Sequence, residues 1–263
     1  MDLGLKGKVA VVAASSQGLG KAVAETLARE GARLAICSRD TGRITETATY
    51  LRQTCGAEVL PVPCDVSDPE SVTRFRDEVL DGFGGADIVF TNAGGPPPGG
   101  VEDVRPADYE RAIRLNLMSA VHLVYAFLPQ MKQRRWGRII ASTSITVKQP
   151  IPYLALSNVS RVGVVAFIKS LARHVAPLKI TANTVAPGYI MTERVKQLIE
   201  ARVANEGISF DRALQQIVGQ IPAGRTGTPE EFGALVAFLA SEQAAYVNGE
   251  TILIDGALYG GLF

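Results

Sequence analysis

Short, nearly unbroken apolar runs recur along the chain, and each precedes a longer stretch with helical periodicity. Unbroken runs are typical of strands buried on both faces, and their alternation with helices is typical of a parallel sheet. The chain is therefore predicted to be an α/β protein with a doubly wound, parallel, seven-stranded sheet and helices on both faces. The predicted strands are Val9–Ala14, Arg33–Ser38, Glu58–Pro63, Asp87–Thr91, Arg138–Ser142, Ile180–Val185 and Thr251–Ile254.

Local signals mark where several of the intervening helices begin. Thr228 provides a hydroxyl cap, Pro229 fits the first helical position, and acidic residues follow in the first turn, where the helix dipole favours them. No repeat or change of composition indicates a linker, so residues 1–263 are predicted to form one domain. The predicted helices are Gly20–Glu30, Thr41–Thr54, Pro69–Asp81, Pro106–Arg134, Pro152–Ala176, Thr192–Gln220 with a break, and Pro229–Ala240.

The charge balance excludes several classes of partner. The 263 residues include 27 Lys and Arg against 26 Asp and Glu, for a formal net charge of +1, with no basic block. Binding to nucleic acid or to an anionic membrane needs clustered cations, so neither partner is expected. The longest apolar runs are far shorter than the ~18 residues of a transmembrane helix, and residues 1–5 do not resemble a secretory signal. We therefore expect a soluble, cytoplasmic protein.

The three cysteines do not fit a metal site or a disulfide scaffold. Cys37, Cys55 and Cys64 form no Cys-x-x-Cys pair, and the chain has two histidines. Because a free cysteine behaves as a small apolar residue, all three are predicted to be core thiols, with no metal bound.

A glycine-containing turn follows the first predicted strand and leads straight into a helix. Glycines at such a turn let the backbone approach a pyrophosphate, whose charge is stabilised by free N–H groups at the helix N-terminus. The turn is predicted to bind the phosphates of a dinucleotide in a Rossmann-type fold, with simple helix packing as the alternative. Its residues are Ser15, Ser16, Gln17, Gly18, Leu19 and Gly20.

The end of the second strand indicates which dinucleotide is bound. Ser38 and Arg39 stand about twenty residues after the glycine turn, where a dinucleotide fold contacts the ribose 2′ substituent. An acidic residue would accept a hydrogen bond from a 2′-hydroxyl, whereas Arg39 offers charge-assisted donors to a 2′-phosphate. NADP(H) is thus favoured over NAD(H), with a solvated Arg39 beside a helix-capping Asp40 as the alternative.

Further landmarks follow the later strands. They are Cys64-Asp65-Val66, Thr91-Asn92-Ala93-Gly94, Asn116, Gly137-Arg138-Ile139-Ile140 leading to Ser144, Pro187-Gly188 with Thr192, and Ile254-Asp255-Gly256. Together with the glycine turn, these landmarks resemble the short-chain dehydrogenase/reductase family over nearly the whole chain. Within that family they look like the 3-oxoacyl-(acyl-carrier-protein) reductases.

The resemblance implies a cofactor site and an assembly. Family members usually form tetramers, so a homo-oligomer is expected. Ala14 stands where the family has the first glycine of the turn, which implies an altered turn geometry. The residues that the resemblance places against the cofactor are Asp65 and Val66 at the adenine, Asn92, Ala93 and Gly94 along the sheet edge, and Ile190 with Thr192 at the carboxamide, beside Pro187 and Gly188.

The predicted catalytic helix departs from the family pattern. A Tyr-x-x-x-Lys pair does the acid–base chemistry in the family, and counting thirteen residues from Ser144, as the family spacing requires, reaches Ser157, with Arg161 four residues further. The resemblance thus implies that Asn116 and Ser144 are retained as catalytic residues, while Ser157 and Arg161 replace the pair. Arg161 keeps the positive charge and can bind ribose hydroxyls, but a serine hydroxyl is a far weaker acid than a phenol of pKa ~10.

Tyr153 is an alternative proton donor. It lies four residues before Ser157 and eight before Arg161, so the three would share one face of a continuous helix. About 12 Å of helix would separate Tyr153 from Arg161, and Pro152 puts Tyr153 in the first turn. Tyr153, Ser157 and water therefore stay open as proton donors, and Tyr153 also as an aromatic residue that only shapes the pocket.

Segment 189–226 is longer than a simple crossover requires and is predicted to be a substrate lid. Its apolar face would meet an acyl chain or an aromatic substrate, unless it packs on the sheet. That face comprises Val195, Leu198, Ile199, Val203, Leu214, Ile217 and Val218.

The favoured function is NADP(H)-dependent reduction of a small-molecule ketone, with a 3-oxoacyl thioester as one candidate substrate. The missing Tyr/Lys pair keeps two other classes open. One is a cofactor-binding sensor or subunit without turnover, and the other is a non-redox isomerase or dehydratase that uses the cofactor site structurally.

Overall fold

Seven strands form one fully parallel sheet, which confirms the predicted α/β fold. The computed structural model describes residues 2–262, including the side-chain surroundings of all of them except Ala201 and Asn205, so both ends of the predicted domain lie outside it. The strands are β1 (Val9–Val12), β2 (Arg33–Ser38), β3 (Val59–Pro63), β4 (Ile88–Thr91), β5 (Gly137–Ser142), β6 (Ile180–Pro187) and β7 (Thr251–Ile254). Their order in the sheet is β3-β2-β1-β4-β5-β6-β7, so the winding reverses between β1 and β4.

The helices match the predicted periodic stretches, with two differences. They are α1 (Gly18–Arg29), α2 (Thr41–Cys55), α3 (Pro69–Phe83), α4 (Pro106–Ile113), α5 (Ser119–Arg134), α6 (Ala155–Val175), α7 (Glu193–Glu206), α8 (Phe210–Val218) and α9 (Pro229–Ala240). The predicted helical stretch Pro106–Arg134 is continuous, but a π-helical turn over Arg114–Met118 divides it into α4 and α5. The sixth helix begins at Ala155 and not at Pro152, so Tyr153 lies in the turn before it.

The core is divided into one cluster on each face of the sheet. Ala10 and Val12 belong to the cluster under α1 and α9, whereas Val11, between them, belongs to the cluster under α5 and α6. Successive side chains of a strand point to opposite faces, so a strand covered on both sides must be apolar at every position. This burial explains the unbroken apolar runs in the sequence.

Two helical stretches are long and apolar enough to cross a membrane by length and composition, namely Pro106–Arg134 and Ala155–Leu178. The search for unbroken apolar runs in the sequence did not find these two stretches, because polar residues interrupt their apolar residues. In each stretch 44% of the apolar window is buried in the protein. Phe127 of α5 and Ile168 of α6 are core residues of the sheet. Core helices of soluble proteins have the same character, so this is weak evidence for a membrane, and the absence of a membrane partner stays a prediction.

The cysteine prediction was right for two residues and wrong for the third. Cys37 and Cys64 are buried free thiols, but Cys55, the last residue of α2, is only partly buried. Within residues 2–262, no group of three or more His, Cys, Asp or Glu side chains is placed to hold a metal ion.

The start of α9 shows the predicted capping residues at work. The Thr228 hydroxyl accepts a hydrogen bond from the Glu231 N–H, and the Glu231 carboxylate accepts one from the Thr228 N–H. Arg225 donates to both carboxylate oxygens, at 2.6 and 2.9 Å. Hydrogen bonds from Arg225, and then from the Thr228 N–H, lower the pKa of Glu231 from 4.5 to about 2.

We predict that replacing the buried ring of Phe232 destabilises the protein. Phe232 is fully buried, and its ring meets that of Phe90 edge to face, with 6.1 Å between centroids. Phe232→Ala should lower the free energy of unfolding by about 3–5 kcal/mol in a urea titration, because it leaves a cavity. The matched control is Phe238→Ala on the same helix, where the side chain is 38% exposed and the loss should be under ~1.5 kcal/mol. Equal losses would contradict the assigned packing.

The capping box of α9 predicts a pH dependence. Because the pKa of Glu231 is lowered in the folded chain, its stabilisation is complete above the ordinary pKa of 4.5 and is lost as the pH falls towards 2. The difference in urea midpoint between wild type and Glu231→Gln should therefore be largest near neutral pH and should shrink below pH 4.5. A difference that is constant over this range would show that the charge of Glu231 contributes nothing.

Candidate functional site

The site lies at the carboxyl edge of the sheet, where β1 and β4 lead away to opposite faces. Gly18 begins α1 with a φ of +56°, and a Cβ on Gly20 would lie 2.3 Å from the carbonyl oxygen of Ala14. Gln17 precedes the helix and makes no capping hydrogen bond with its side chain. The first N–H groups of α1 therefore point from a tight glycine turn towards the edge, which is the arrangement that binds phosphate.

Ala14 adopts the backbone conformation that a glycine would take. Its φ is +48°, in the left-handed region, at a cost of roughly 1 kcal/mol for a residue with a Cβ. Ser15 supports the turn from within, because its hydroxyl donates to the Val12 carbonyl at 2.9 Å and its N–H donates to the Cys37 carbonyl. Ser16 and Leu19 are partly buried, and Gln17 is exposed.

The end of β2 presents exposed cations at the same edge. Ser38 is buried and donates its hydroxyl to the Asp40 carbonyl at 3.0 Å, while Arg39 is exposed. Asp40 caps α2 by accepting from the Arg43 N–H at 3.0 Å, and the Arg43 guanidinium lies 3.5 Å from the same carboxylate. Arg43 is thus a second cation beside Arg39 that the sequence analysis missed.

The loops after β3 and β4 place the residues predicted to surround the adenine and the sheet edge. The Asp65 carboxylate accepts from both the N–H and the hydroxyl of Ser67, and Val66 is buried. The Asn92 amide reaches towards the Ala13 carbonyl, at 3.5 Å. The Asn92 contact joins the ends of β1 and β4, while the Asp65 contacts shape the loop after β3.

The π-helical turn between α4 and α5 positions Asn116. Asn116 is buried, donates from Nδ2 to the Gly94 carbonyl at 3.2 Å and accepts from the Ser160 hydroxyl at 3.0 Å. Such turns often occur at functional sites, because the widened turn redirects a side chain. Ser160 supports Asn116, and the sequence analysis did not find it. Its position on α6, one turn after Leu156, was the only sequence signal for it.

Thr146 contacts both Ser144 and Ser157, the first through its backbone N–H and the second through its hydroxyl. The Ser144 oxygen accepts from the Thr146 N–H at 3.2 Å, and the Thr146 and Ser157 hydroxyls lie 3.2 Å apart. Ser157 and Thr146 are buried, whereas Ser144 is only partly buried. Ser144 and Ser157 are thus connected through Thr146, which the sequence analysis did not single out.

Arg161 lies one turn after Ser157 and is almost entirely buried. It donates from Nη1 to the Ser142 carbonyl at 3.2 Å. Burial, together with the nearby charge of Arg194, lowers its pKa from 12.5 to about 10, so it stays charged at neutral pH. A cavity of about 10 Å³ adjoins its side chain, which is room for roughly one water molecule. The lining residues are Thr91, Asn92, Ala93, Asn116, Ser119, Ala120, Ser142 and Arg161.

Tyr153 pairs with Tyr189 and not with the serines. Its hydroxyl lies 2.9 Å from that of Tyr189, and its side chain is 46% exposed. Burial, and then the bond to Tyr153, raise the pKa of Tyr189 above its usual range. Because Tyr153 precedes α6, the expectation that Tyr153, Ser157 and Arg161 share one face of a continuous helix was wrong. Among the hydrogen bonds of residues 2–262, none joins Tyr153 to Ser144 or Ser157.

The segment predicted to be a lid starts beside the glycine turn. Thr192 caps α7 through its hydroxyl, and a Cβ on Gly18 would lie 3.8 Å from the Thr192 methyl group. Gly188 fits tightly against Asp255, since a Cβ there would lie 2.7 Å from the Asp255 Cβ, and Ile190 is buried. The chain thus runs from the end of β6 to the glycine turn through Pro187, Gly188, Ile190 and Thr192.

The apolar face of this segment packs against itself. Ile199 of α7 and Ile217 of α8 are buried in a cluster separate from the two sheet cores. The partly buried residues around this cluster include Val195, Val203 and Leu214. The two helices therefore form a unit with its own small core, and contact with a substrate remains a prediction.

The chain is similar to known proteins over nearly its whole length. A protein family described as enoyl-(acyl carrier protein) reductase matches residues 13–258. The chain is 36% identical to the 3-oxoacyl-(acyl-carrier-protein) reductase FabG of Vibrio cholerae over 257 residues, which cover 98% of this chain and 99% of that protein.

Two crystal structures are similar over nearly their whole length. L-Sorbose reductase from Gluconobacter frateurii, complexed with NADPH and L-sorbose, has a TM-score of 0.95 and 34% identity, with 100% of each chain covered. An NADPH-bound short-chain oxidoreductase from Pseudomonas aeruginosa PAO1 containing an atypical catalytic center has a TM-score of 0.88 and 31% identity, with 97% of each chain covered.

The geometry of the glycine turn predicts that two substitutions differ in their effect on the affinity for NADPH. Gly20→Ala should lower the affinity for NADPH by at least about tenfold, because the added Cβ meets a backbone oxygen and the turn must shift. Ala14→Gly should leave this affinity intact, because glycine adopts the observed φ of +48° without strain. Both affinities follow from titration of NADPH fluorescence, with thermal unfolding as a check on folding. Unchanged binding by Gly20→Ala would remove the turn from the cofactor site.

Proposed function

The chain belongs to the short-chain dehydrogenase/reductase family, and we propose on that premise that it reduces a small-molecule ketone with NADPH. The observation that carries the proposal is the convergence of Ser144, Thr146 and Ser157 beside the buried Arg161, at the edge that also bears the glycine turn. NADPH, when bound, supplies the hydride. The relatives named above, two reductases and an NADPH-bound oxidoreductase, support this reaction class.

Ser144 holds the carbonyl oxygen of the substrate. Its oxygen already accepts a bond from the Thr146 N–H, so its proton is free to be donated to another acceptor. A donor fixed by the fold stabilises the negative charge that develops on a carbonyl oxygen during reduction. Ser144 is partly buried, unlike the other two hydroxyls, which fits a group that meets the substrate.

Ser157 and Arg161 replace the tyrosine and lysine of the family. Ser157 lies within hydrogen-bonding distance of the Thr146 hydroxyl, and the Thr146 N–H holds the Ser144 oxygen, so Ser157 helps to position Ser144 through Thr146. Arg161 cannot release a proton at neutral pH, so its part is to bind ribose hydroxyls and to attract negative charge. Water in the cavity beside Arg161 is the ultimate proton source.

Water beside Arg161 is favoured over Tyr153 as the proton donor. Tyr153 is tied to Tyr189 and starts outside α6, whereas Ser157 is buried within hydrogen-bonding distance of the residue that anchors Ser144. Tyr153 instead shapes the entrance to the pocket. The relative from Pseudomonas aeruginosa contains an atypical catalytic center, which supports a departure from the family pair in this chain as well.

NADP(H) is preferred over NAD(H) in this proposal. Arg39 and Arg43 are both exposed at the end of β2, where they can meet a 2′-phosphate with charge-assisted hydrogen bonds. Asp40 lies between them, but its carboxylate caps α2 and pairs with Arg43. The NADPH-bound relatives agree with this preference.

A cytoplasmic homo-oligomer, a tetramer by family resemblance, completes the proposal. Tyr125 of α5 and Val159 and Val162 of α6 are 65%, 51% and 48% exposed. Apolar side chains grouped on neighbouring helices are typical of surfaces buried by a second copy.

We predict that Ser144 and Ser157 matter for turnover and that Tyr153 does not. Purified protein is mixed with NADPH and a panel of 3-oxoacyl thioesters and simple ketones, and NADPH oxidation is followed. Ser144→Ala should lower kcat/KM by about 10²-fold, since one donor to the developing charge is lost. Ser157→Ala should lower kcat more than KM, and Tyr153→Phe, the control that keeps the ring, should stay near wild type.

Four outcomes would contradict the proposal in different ways. Loss of turnover in Tyr153→Phe alone would make that phenol the acid. Tight NADPH binding without oxidation by any substrate would favour a sensor or subunit, and conversion of substrate without NADPH consumption would favour a non-redox enzyme. Turnover gained only in the double variant Ser157→Tyr with Arg161→Lys would show that the natural pair has lost the reaction.

A further inference from the structure

Two guanidinium groups approach the same loop without a carboxylate partner. Arg161 adjoins Asn92 and Ala93 through the small cavity, and Arg194 donates from Nη2 to the Pro96 carbonyl at 2.7 Å. Thirteen ion pairs occur among the described residues, and neither Arg161 nor Arg194 takes part in one. The loop after β4 is therefore contacted by two positive charges that no carboxylate of the described residues neutralises.

The position of Arg194 is unfavourable for the folded chain alone. Arg194 lies in the first turn of α7, where the positive end of the helix dipole repels a cation. Burial lowers its pKa, and its charge in turn lowers that of Arg161. Arg194 makes its hydrogen bond to a neutral carbonyl, which leaves its charge unneutralised, and such a local cost is a frequent sign of a binding site, because the ligand supplies the missing partner.

The loop is shaped to accept this side chain. A Cβ on Gly95 would lie 3.3 Å from Nε and 3.4 Å from Nη2 of Arg194. Glycine thus leaves room for the guanidinium plane against the backbone, while the bond to Pro96 fixes one end of it. Arg194 reaches in this way from α7 across the crevice to the loop after β4, close to the groups of the proposed reaction.

We propose that Arg194 binds an anionic oxygen group, a carboxylate or a phosphate, of the ligand held at this edge. A guanidinium donates two parallel hydrogen bonds to either group, which is the strongest neutralisation that a side chain can offer. The inference rests on the proposed function in so far as the ligand is its cofactor or its substrate. The phosphate source is the diphosphate of NADPH, and the carboxylate source is a substrate that is an oxo acid.

The test compares Arg194→Gln with Lys196→Gln. Lys196 lies on the same helix and is 51% exposed. Its substitution removes the same charge, so it controls for a general electrostatic effect. NADPH is titrated first. Butyrate and its neutral analogue butyramide are then titrated into NADPH-saturated protein, and binding is read from NADPH fluorescence. Arg194→Lys keeps the charge without the paired donors and serves as a second variant.

We expect Arg194→Gln to weaken one of these two affinities by about ten- to a hundred-fold, as for the loss of a charge-assisted hydrogen bond. Lys196→Gln should change neither affinity, and Arg194→Lys should fall between wild type and Arg194→Gln. Weaker NADPH binding assigns the anion to the cofactor. Weaker butyrate binding, with NADPH and butyramide unaffected, assigns it to the substrate.

Equal affinities of wild type and Arg194→Gln for both NADPH and butyrate would overturn the inference, as would an equal loss in Lys196→Gln. The measurements are of binding, so they stand apart from the assay of turnover. A protein that oxidises no NADPH can still show the anion site, and an active reductase can still lack it.

Discussion

The parallel pairing of β1 with β4 is the contact on which the site depends. Val11 pairs with Val89 and Val12 with Phe90, and the Ala13 N–H then donates to the Phe90 carbonyl at the end of the pair. Because the chain winds outwards in opposite directions from these two strands, the loops that follow them separate and leave a crevice at their carboxyl ends. The glycine turn, the loop after β4 and the start of α7 all open onto this crevice, since each follows a strand of the same sheet.

Positive charge at this edge is held by neutral groups. Arg161 rests on the Ser142 carbonyl and Arg194 on the Pro96 carbonyl, so the dipoles of the backbone share the charge in place of a carboxylate. Arg138 differs, because it is fully buried in β5 and reaches Glu242 as well as the Ser241 carbonyl. A paired arginine is a structural element, whereas an arginine paired only with carbonyls keeps donors and charge available to a ligand.

The crevice has walls of unequal stability. On the sheet side, Asn116 and Ser160 are buried and bonded to each other, and Thr146 connects Ser144 to Ser157 of the same helix. On the other side, α7 and α8 pack around a small core of their own, attached to the edge through Thr192, Arg194 and the Tyr153–Tyr189 pair. A unit with few contacts to the main core can open at lower free energy than the sheet, which suits entry of a cofactor and a substrate.

The sequence by itself determined the sheet and predicted where the site lies. Unbroken apolar runs such as 34–37 show in the sequence which strands are buried on both faces, and the capping residues at Thr228 act locally. Spacing along the chain also related Ser144 to Ser157. Only the tertiary structure decided that Thr146 links them, that a π-helical turn presents Asn116, and that Tyr153 lies outside α6. Arg194 went unnoticed for the same reason, since its contact with Pro96 spans 98 residues of sequence and arises only when α7 folds across the crevice.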